Sequence, residues 1–279
     1  MVPVMEFDTP PATSMFAIAT KRGGALPADG QIPHIEARAS RLERPLAAYA
    51  RVCGFPATTR LPLTFPDLLA RGLHLAVLTH PAFPLRLMGI LHTGQRIESL
   101  RAIDAQEPLS ARAWVSGPRP ARRGGEFDLH SEVFAGAECV WRATTTILSR
   151  ALAGDGQKRP AAQPTPFSPS RSTVWSLPAD LGRRYAEVSG DHNPVHLWPL
   201  TARPFGFKRP IAHGWWALAR ALAELDADVP EACVLTARFH APLPLPGRVS
   251  FTSGREANGA LRFEVRRKEL CLAGVISPA

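Results

Sequence analysis

Two short stretches of this chain echo each other. Tyr49-Ala-Arg-Val-Cys-Gly54 and Tyr185-Ala-Glu-Val-Ser-Gly190 carry tyrosine, alanine, valine and glycine at the same offsets, and a proline follows each, Pro56 and Pro194. An internal repeat constrains a fold strongly, because both copies must build the same local unit. A length of 279 residues suits two domains. Residues 151–172 are rich in proline and small polar residues without usable periodicity, which reads as a linker. We therefore expect an N-terminal half over 1–150 and a related C-terminal half over 173–279.

Each echo is followed by a helix candidate. Leu61-Pro-Leu-Thr-Phe-Pro-Asp67 leads into the apolar run Leu68–Leu78, as Pro210-Ile-Ala-His-Gly214 leads into Trp215–Leu225. In the second, Ile211, Trp215, Leu218, Leu222 and Leu225 recur at steps of four and three, the pattern of a helix buried against surrounding structure. Alternating segments follow both helices: Phe127, Leu129 and Val133 in the first half, then Leu261, Phe263 and Val265 in the second. With the apolar runs Cys139–Leu148 and Leu270–Ile276 they predict strands with one buried face.

The second echo alone runs on into ionisable residues, Asp191-His-Asn-Pro-Val-His196. Asn193-Pro194 favours a turn, which lets the Asp191 carboxylate and the His196 imidazole converge on one small volume, as a pair able to activate water. At Gly214 a residue without a side chain opens the helical run, so backbone N–H groups can approach a ligand oxygen. The first half has Phe55 where the second has Asp191, and no histidine follows at the required spacing. It is expected to be catalytically silent.

These residues, in this order, resemble the signature of the MaoC-like, or hydratase 2, family of (R)-specific enoyl-thioester hydratases and 3-hydroxyacyl-thioester dehydratases. The resemblance extends from Val174 to Ile276 and includes the run Arg238-Phe-His-Ala-Pro-Leu-Pro-Leu-Pro-Gly247. It implies an α+β double hotdog, in which a curved antiparallel sheet wraps a long central helix. It also implies reversible hydration of 2-enoyl thioesters without metal or other cofactor, Asp191 and His196 holding the water and the Gly214 amide binding the thioester oxygen. The silent half would complete the paired sheet and shape an acyl tunnel, to which Leu69, Leu73 and Val77 could contribute. Trp215 stands where the family usually has a smaller apolar residue, and Trp216 adds bulk that could narrow the tunnel or fill the core.

Around the motif, Asn193 either caps the turn or orients Asp191, and His213 either meets the thioester or satisfies buried backbone groups. Arg183, Arg184, Lys208 and Arg209 are cations that could meet the phosphates of coenzyme A, arginine being the better bidentate ligand. The formal net charge of +9 fits an anionic partner, either coenzyme A or an acidic acyl carrier protein. Nucleic acid is not expected, since no zinc-finger spacing, aromatic RNP pattern or basic-region heptad occurs. Cys53, Cys139, Cys233 and Cys271 are widely spaced and read as reduced structural thiols. With no cationic leader and no apolar run of membrane-spanning length, the reading is a cytoplasmic protein without membrane association, able to form a homodimer. A hotdog thioesterase and a non-catalytic acyl-thioester binder are the competing readings.

Overall fold

The computed structural model describes residues 3–12, 15–42, 46–57, 59–156 and 167–279. Part of the expected linker, residues 157–166, lies outside the described residues. In chain order the elements are β1 (Val4–Phe7), α1 (Met15–Thr20), β2 (Glu36–Ala39), α2 (Leu46–Cys53), α3 (Phe65–Thr79), β3 (Leu91–Ser99), β4 (Leu109–Ala121), β5 (Gly124–Ala135) and β6 (Glu138–Ser149). Then follow β7 (Arg171–Leu177), α4 (Leu181–Ser189), α5 (Pro199–Ala202), α6 (Gly214–Leu225), β8 (Cys233–Phe239), β9 (Gly247–Arg255), β10 (Leu261–Arg266) and β11 (Leu270–Pro278). Among the described residues no helix is long and apolar enough to cross a membrane.

The chain forms two compact units. The first comprises Met1–Glu43, Leu69–Gln95 and Pro108–Pro166; the second comprises Arg44–Leu68, Arg96–Glu107 and Phe167–Ala279. The division falls inside α3 and inside β3, and it groups α2 with the C-terminal elements.

In the first unit β1 pairs in parallel with β2, and β2, β4, β5 and β6 continue antiparallel. Strict alternation along β5 puts Phe127, Leu129, Ser131 and Val133 on the buried face, as the sequence period requires. Leu69, Leu73 and Val77 of α3 are all buried in this unit. The buried His74 ring meets Ser131 Oγ at 2.5 Å, and burial pushes its pKa down to about 3.

The second unit contains the antiparallel order β8-β11-β10-β9-β7. Alanine and leucine favour the helix from Gly214 to Leu225, and Arg220 pairs with Glu224 one turn on. Trp215, Trp216, Ala217, Leu218, Ala219, Ala221, Leu222 and Leu225 are buried, so α6 needs cover on nearly every side. It touches the outermost strands of the five. Gly214 lies against Phe239 of β8, while Trp216 packs edge-on to Trp175 of β7 at 6.2 Å. Five flat strands would span about 19 Å, and a helix is only about 10–12 Å across. Contact with both outer strands fits a sheet curved around the helix. Trp216 also donates from Nε1 to the Val52 carbonyl of α2 at 2.9 Å, which satisfies the one polar atom of a buried indole.

The stretch from Tyr185 to Ser189 is the end of α4, and Gly190 closes it in the left-handed conformation, φ 71°, with its amide on the Ala186 carbonyl. One detail differs from the sequence pattern. Ile211, counted in the apolar stripe, lies before α6 in an isolated bridge to Pro244. The stripe continued past the helix because a packed loop also needs apolar residues.

Candidate active site

The site lies in the second unit, where the end of α4, the following loop and the start of α6 meet. Gly190 reverses the chain after α4, and the Asp191 amide donates back to Ser189 Oγ at 3.1 Å. Asp191 Oδ1 in turn accepts from the Asn193 amide at 3.3 Å. Asn193 Oδ1 accepts from the Val195 amide, capping the short 3-10 helix Pro194–His196. Proline at its first position suits such a start, having no N–H to satisfy.

This turn is stapled to the strand-like segment before α6. The Ile211 amide donates to the Val195 carbonyl at 3.2 Å, and His196 Nδ1 lies 2.8 Å from the Ile211 carbonyl oxygen. A carbonyl only accepts, so Nδ1 carries hydrogen and the neutral ring keeps its lone pair on Nε2. The proline-rich run after β8 supports the same segment: Ala212 donates to the Leu243 carbonyl and Leu245 to that of Pro210, both at 2.8 Å.

One oxygen of Asp191 and one ring nitrogen each of His196 and His213 lie within 4.8 Å of one another. Two groups that each hydrogen-bond one water at about 2.8 Å sit about 4.5 Å apart, so the separation matches a shared water. His213 is 3% exposed and Asp191 30%, so the carboxylate reaches solvent while this imidazole does not. The same three groups form the set that could ligate a metal. The His196 and His213 rings are stacked, however, with centroids 3.7 Å apart and planes at 28°. Of their nitrogens, His196 Nδ1 is engaged with the Ile211 carbonyl and His213 Nε2 with the Asp191 carbonyl at 3.0 Å.

Gly214 is the first residue of α6, where the amide has no carbonyl one turn back and the helix dipole favours negative charge. A Cβ there would come within 3.1 Å of the Phe239 ring, so the glycine keeps this approach narrow and unobstructed. Asp191, His196, Asn193, His213 and Gly214 are thus gathered at one place. Lys208 and Arg209 are on the exposed surface, Arg209 donating to the Pro246 carbonyl at 3.2 Å. Arg183 spans the Trp198 ring at 3.8 Å and donates to the Leu197 carbonyl, and Arg184 is exposed.

Gly182 was not singled out by the sequence pattern. A Cβ on it would sit 1.9 Å from the His196 carbonyl oxygen, so α4 and the 3-10 helix touch backbone to backbone at this point. Its signal was present: a glycine inside a helix costs about 1 kcal/mol relative to alanine and calls for a packing reason.

Known proteins resemble this chain in sequence and in fold. Residues 156–270 match the sequence profile of the MaoC like domain. The chain is 35% identical over 202 residues to 3-hydroxyacyl-thioester dehydratase X of Mycobacterium tuberculosis, covering 72% of each sequence. The crystal structure of HtdX from that organism matches with a TM-score of 0.75 at 29% identity, over 88% of this chain and 100% of the other. A MaoC-like dehydratase from Phytophthora capsici, 22% identical, shares the fold with a TM-score of 0.71 over 88% of this chain and 96% of its own. The fold is α+β, of the double-hotdog type.

Proposed function

Because this chain belongs to the MaoC-like dehydratase family, we propose that it is a hydro-lyase that reversibly hydrates 2-enoyl thioesters and dehydrates (3R)-hydroxyacyl thioesters of coenzyme A or acyl carrier protein. The observation that carries this reading is the separation of the Asp191, His196 and His213 donor atoms, all within 4.8 Å beside the first amide of α6.

A water held between Asp191 and His196 donates one hydrogen to the carboxylate and the other to His196 Nε2. As its oxygen bonds to C3 of the enoyl group, the second proton passes to Nε2. The electron pair of the double bond moves toward C2, and charge builds on the thioester oxygen, where the Gly214 amide and the α6 dipole stabilise it. The imidazolium, facing the Asp191 carboxylate, then delivers its proton to C2. Oxygen and proton come from one water on one face, so addition is syn, and the catalyst ends as it began. Dehydration is the same path reversed.

The N-terminal repeat is the silent partner in this reading, with Phe55 at the position of Asp191, and residues 151–172 join it to the catalytic repeat of 173–279. Lys208 and Arg209, exposed near the motif, suit the phosphates of the carrier group. The test is incubation with crotonyl and longer 2-enoyl coenzyme A, following the absorbance of the conjugated enoyl thioester together with thiol release. Loss of absorbance without thiol supports hydration; thiol release instead would make the protein a thioesterase, and no change in either would make it a binder.

A further inference from the structure

We propose that His213 is the positioning residue of this site, a buried imidazole that locks the reacting carboxylate and imidazole in register; the inference rests on the hydratase reading above. Four contacts converge on it. Its Nε2 meets the Asp191 carbonyl at 3.0 Å and lies 4.0 Å from Asp191 Oδ2. One ring face stacks on His196 at 3.7 Å, and the Tyr185 ring lies 4.9 Å away, tilted by 51°. Its carbonyl accepts from the Ala217 amide at 3.1 Å, so the same residue begins α6 immediately before Gly214. The side chain therefore ties the acid to the base, while the backbone of the same residue opens the helix.

The hydrogen-bond partners fix both rings. The Asp191 carbonyl can only accept, so His213 carries its hydrogen on Nε2, whereas His196 carries its own on Nδ1 toward Ile211. The two stacked imidazoles hold opposite tautomers. That arrangement places the lone pair of His196 on Nε2, where a water shared with Asp191 needs it, and spends the hydrogen of His213 on holding the Asp191 backbone. The groups facing His213 are Asp191 from the loop, His196 from the 3-10 helix and Tyr185 from α4.

Two variants separate the contacts. His213→Phe keeps a flat ring against His196 and removes the donor to Asp191. His213→Asn removes the ring and supplies a favoured N-cap for α6, so a role confined to starting the helix would leave turnover intact. We expect kcat for 2-enoyl coenzyme A hydration to fall about 10- to 100-fold in each, the scale of a small misplacement of reacting groups, with KM changed less than about threefold. Wild-type kcat in either variant overturns the role. Independently of whether the variants fold, imidazole nitrogen NMR of the wild-type protein should show the Nε2–H tautomer for His213 and the Nδ1–H tautomer for His196 at neutral pH. A charged His213, or the Nδ1–H tautomer there, also overturns it. A wild-type protein with these tautomers but no hydration would instead overturn the proposed reaction, a failure that the assay and the spectra tell apart.

Discussion

Within the second unit α2 and α4 end alike and lead to different surroundings. Each carries a buried tyrosine, Tyr49 or Tyr185, and each is followed by a glycine at positive φ, Gly54 at 85° and Gly190 at 71°. After Gly54 comes Phe55, which stacks on Tyr49 at 6.2 Å; after Gly190 comes Asp191, which turns toward His196 and His213. The residue before the next long helix differs too. Thr64 shares a 2.8 Å hydrogen bond with the Tyr49 hydroxyl, whereas His213 packs against Tyr185 at 4.9 Å. The first helical residue is Phe65 in α3 and Gly214 in α6, and Phe65 sits edge-on to Tyr49 at 5.0 Å. At two of these positions the first copy has a ring that fills space where the second has a carboxylate or a bare glycine, and at the third a hydrogen-bonded hydroxyl stands in place of an imidazole. The backbone scaffold tolerates both, so chemistry here is a matter of a few side chains at fixed places.

The comparison breaks most sharply at Asp191. Asp191→Asn keeps the size and removes the charge, and should lower kcat about 10³-fold, within the range of lost general acid–base catalysis. Thermal denaturation should change little, because the carboxylate is partly exposed. Turnover near the wild-type value would remove Asp191 from the reaction and erase the difference between the two helix ends.

Gly182→Ala comes next. Helix propensity alone favours alanine by about 1 kcal/mol. Packing opposes it, since the new Cβ would stand 1.9 Å from the His196 carbonyl oxygen, which is backbone and cannot rotate away. Packing wins, the 3-10 helix shifts, and kcat should fall about 100-fold, with His196 carried away from Asp191. Unchanged kinetics would mean that the contact between α4 and the 3-10 helix does not set the position of the imidazole.

Phe55→Asp asks whether the other helix end can be given the missing carboxylate. Phe55 is buried against Tyr49, with Thr64 and Phe65 where a histidine and a glycine would be needed, so in an Asp191→Asn background the substitution should add nothing to the residual activity. The loss of a buried ring should cost about 3 kcal/mol, read as a lower denaturation midpoint. Hydration above the level of Asp191→Asn alone in the double variant would show that a carboxylate alone distinguishes the copies.

Much of this was legible because it is local. Asp191, Asn193, Pro194 and His196 lie within six residues and build their own turn, and Gly214 announces α6 by preceding its apolar stripe. The alternation at Phe127–Val133 and Leu261–Val265 gave β5 and β10 for the same reason. What escaped is contact between distant segments. Gly182 matters only through the carbonyl of His196, and His213 only through Asp191 and the His196 ring. The membership of Arg44–Leu68 and Arg96–Glu107 in the second unit is likewise a packing outcome, with no periodicity to mark it. β7, exposed along most of its length, also lacks the alternation that reveals a strand.

The mildest contrast is the residue before each glycine, Ser189 or Cys53. Ser189 Oγ accepts from the Asp191 amide at 3.1 Å, an interaction worth about 1 kcal/mol. Sulfur accepts poorly, so Ser189→Cys should lower kcat only about threefold to tenfold, with KM nearly unchanged. Cys53 has no such task. Burial pushes its thiol well above the usual range, a shift that contacts with Tyr49 and Arg220 only partly offset. Thiolate is the reactive form, so Cys53 in the folded protein should resist iodoacetamide near pH 8 and become reactive only on denaturation. Cys53→Ser should leave kcat at the wild-type value, because that residue acts on no reacting group. A kinetic defect in Cys53→Ser as large as that in Ser189→Cys would mean that the silent helix end sets the geometry of the active one, and the division between scaffold and chemistry would have to be redrawn.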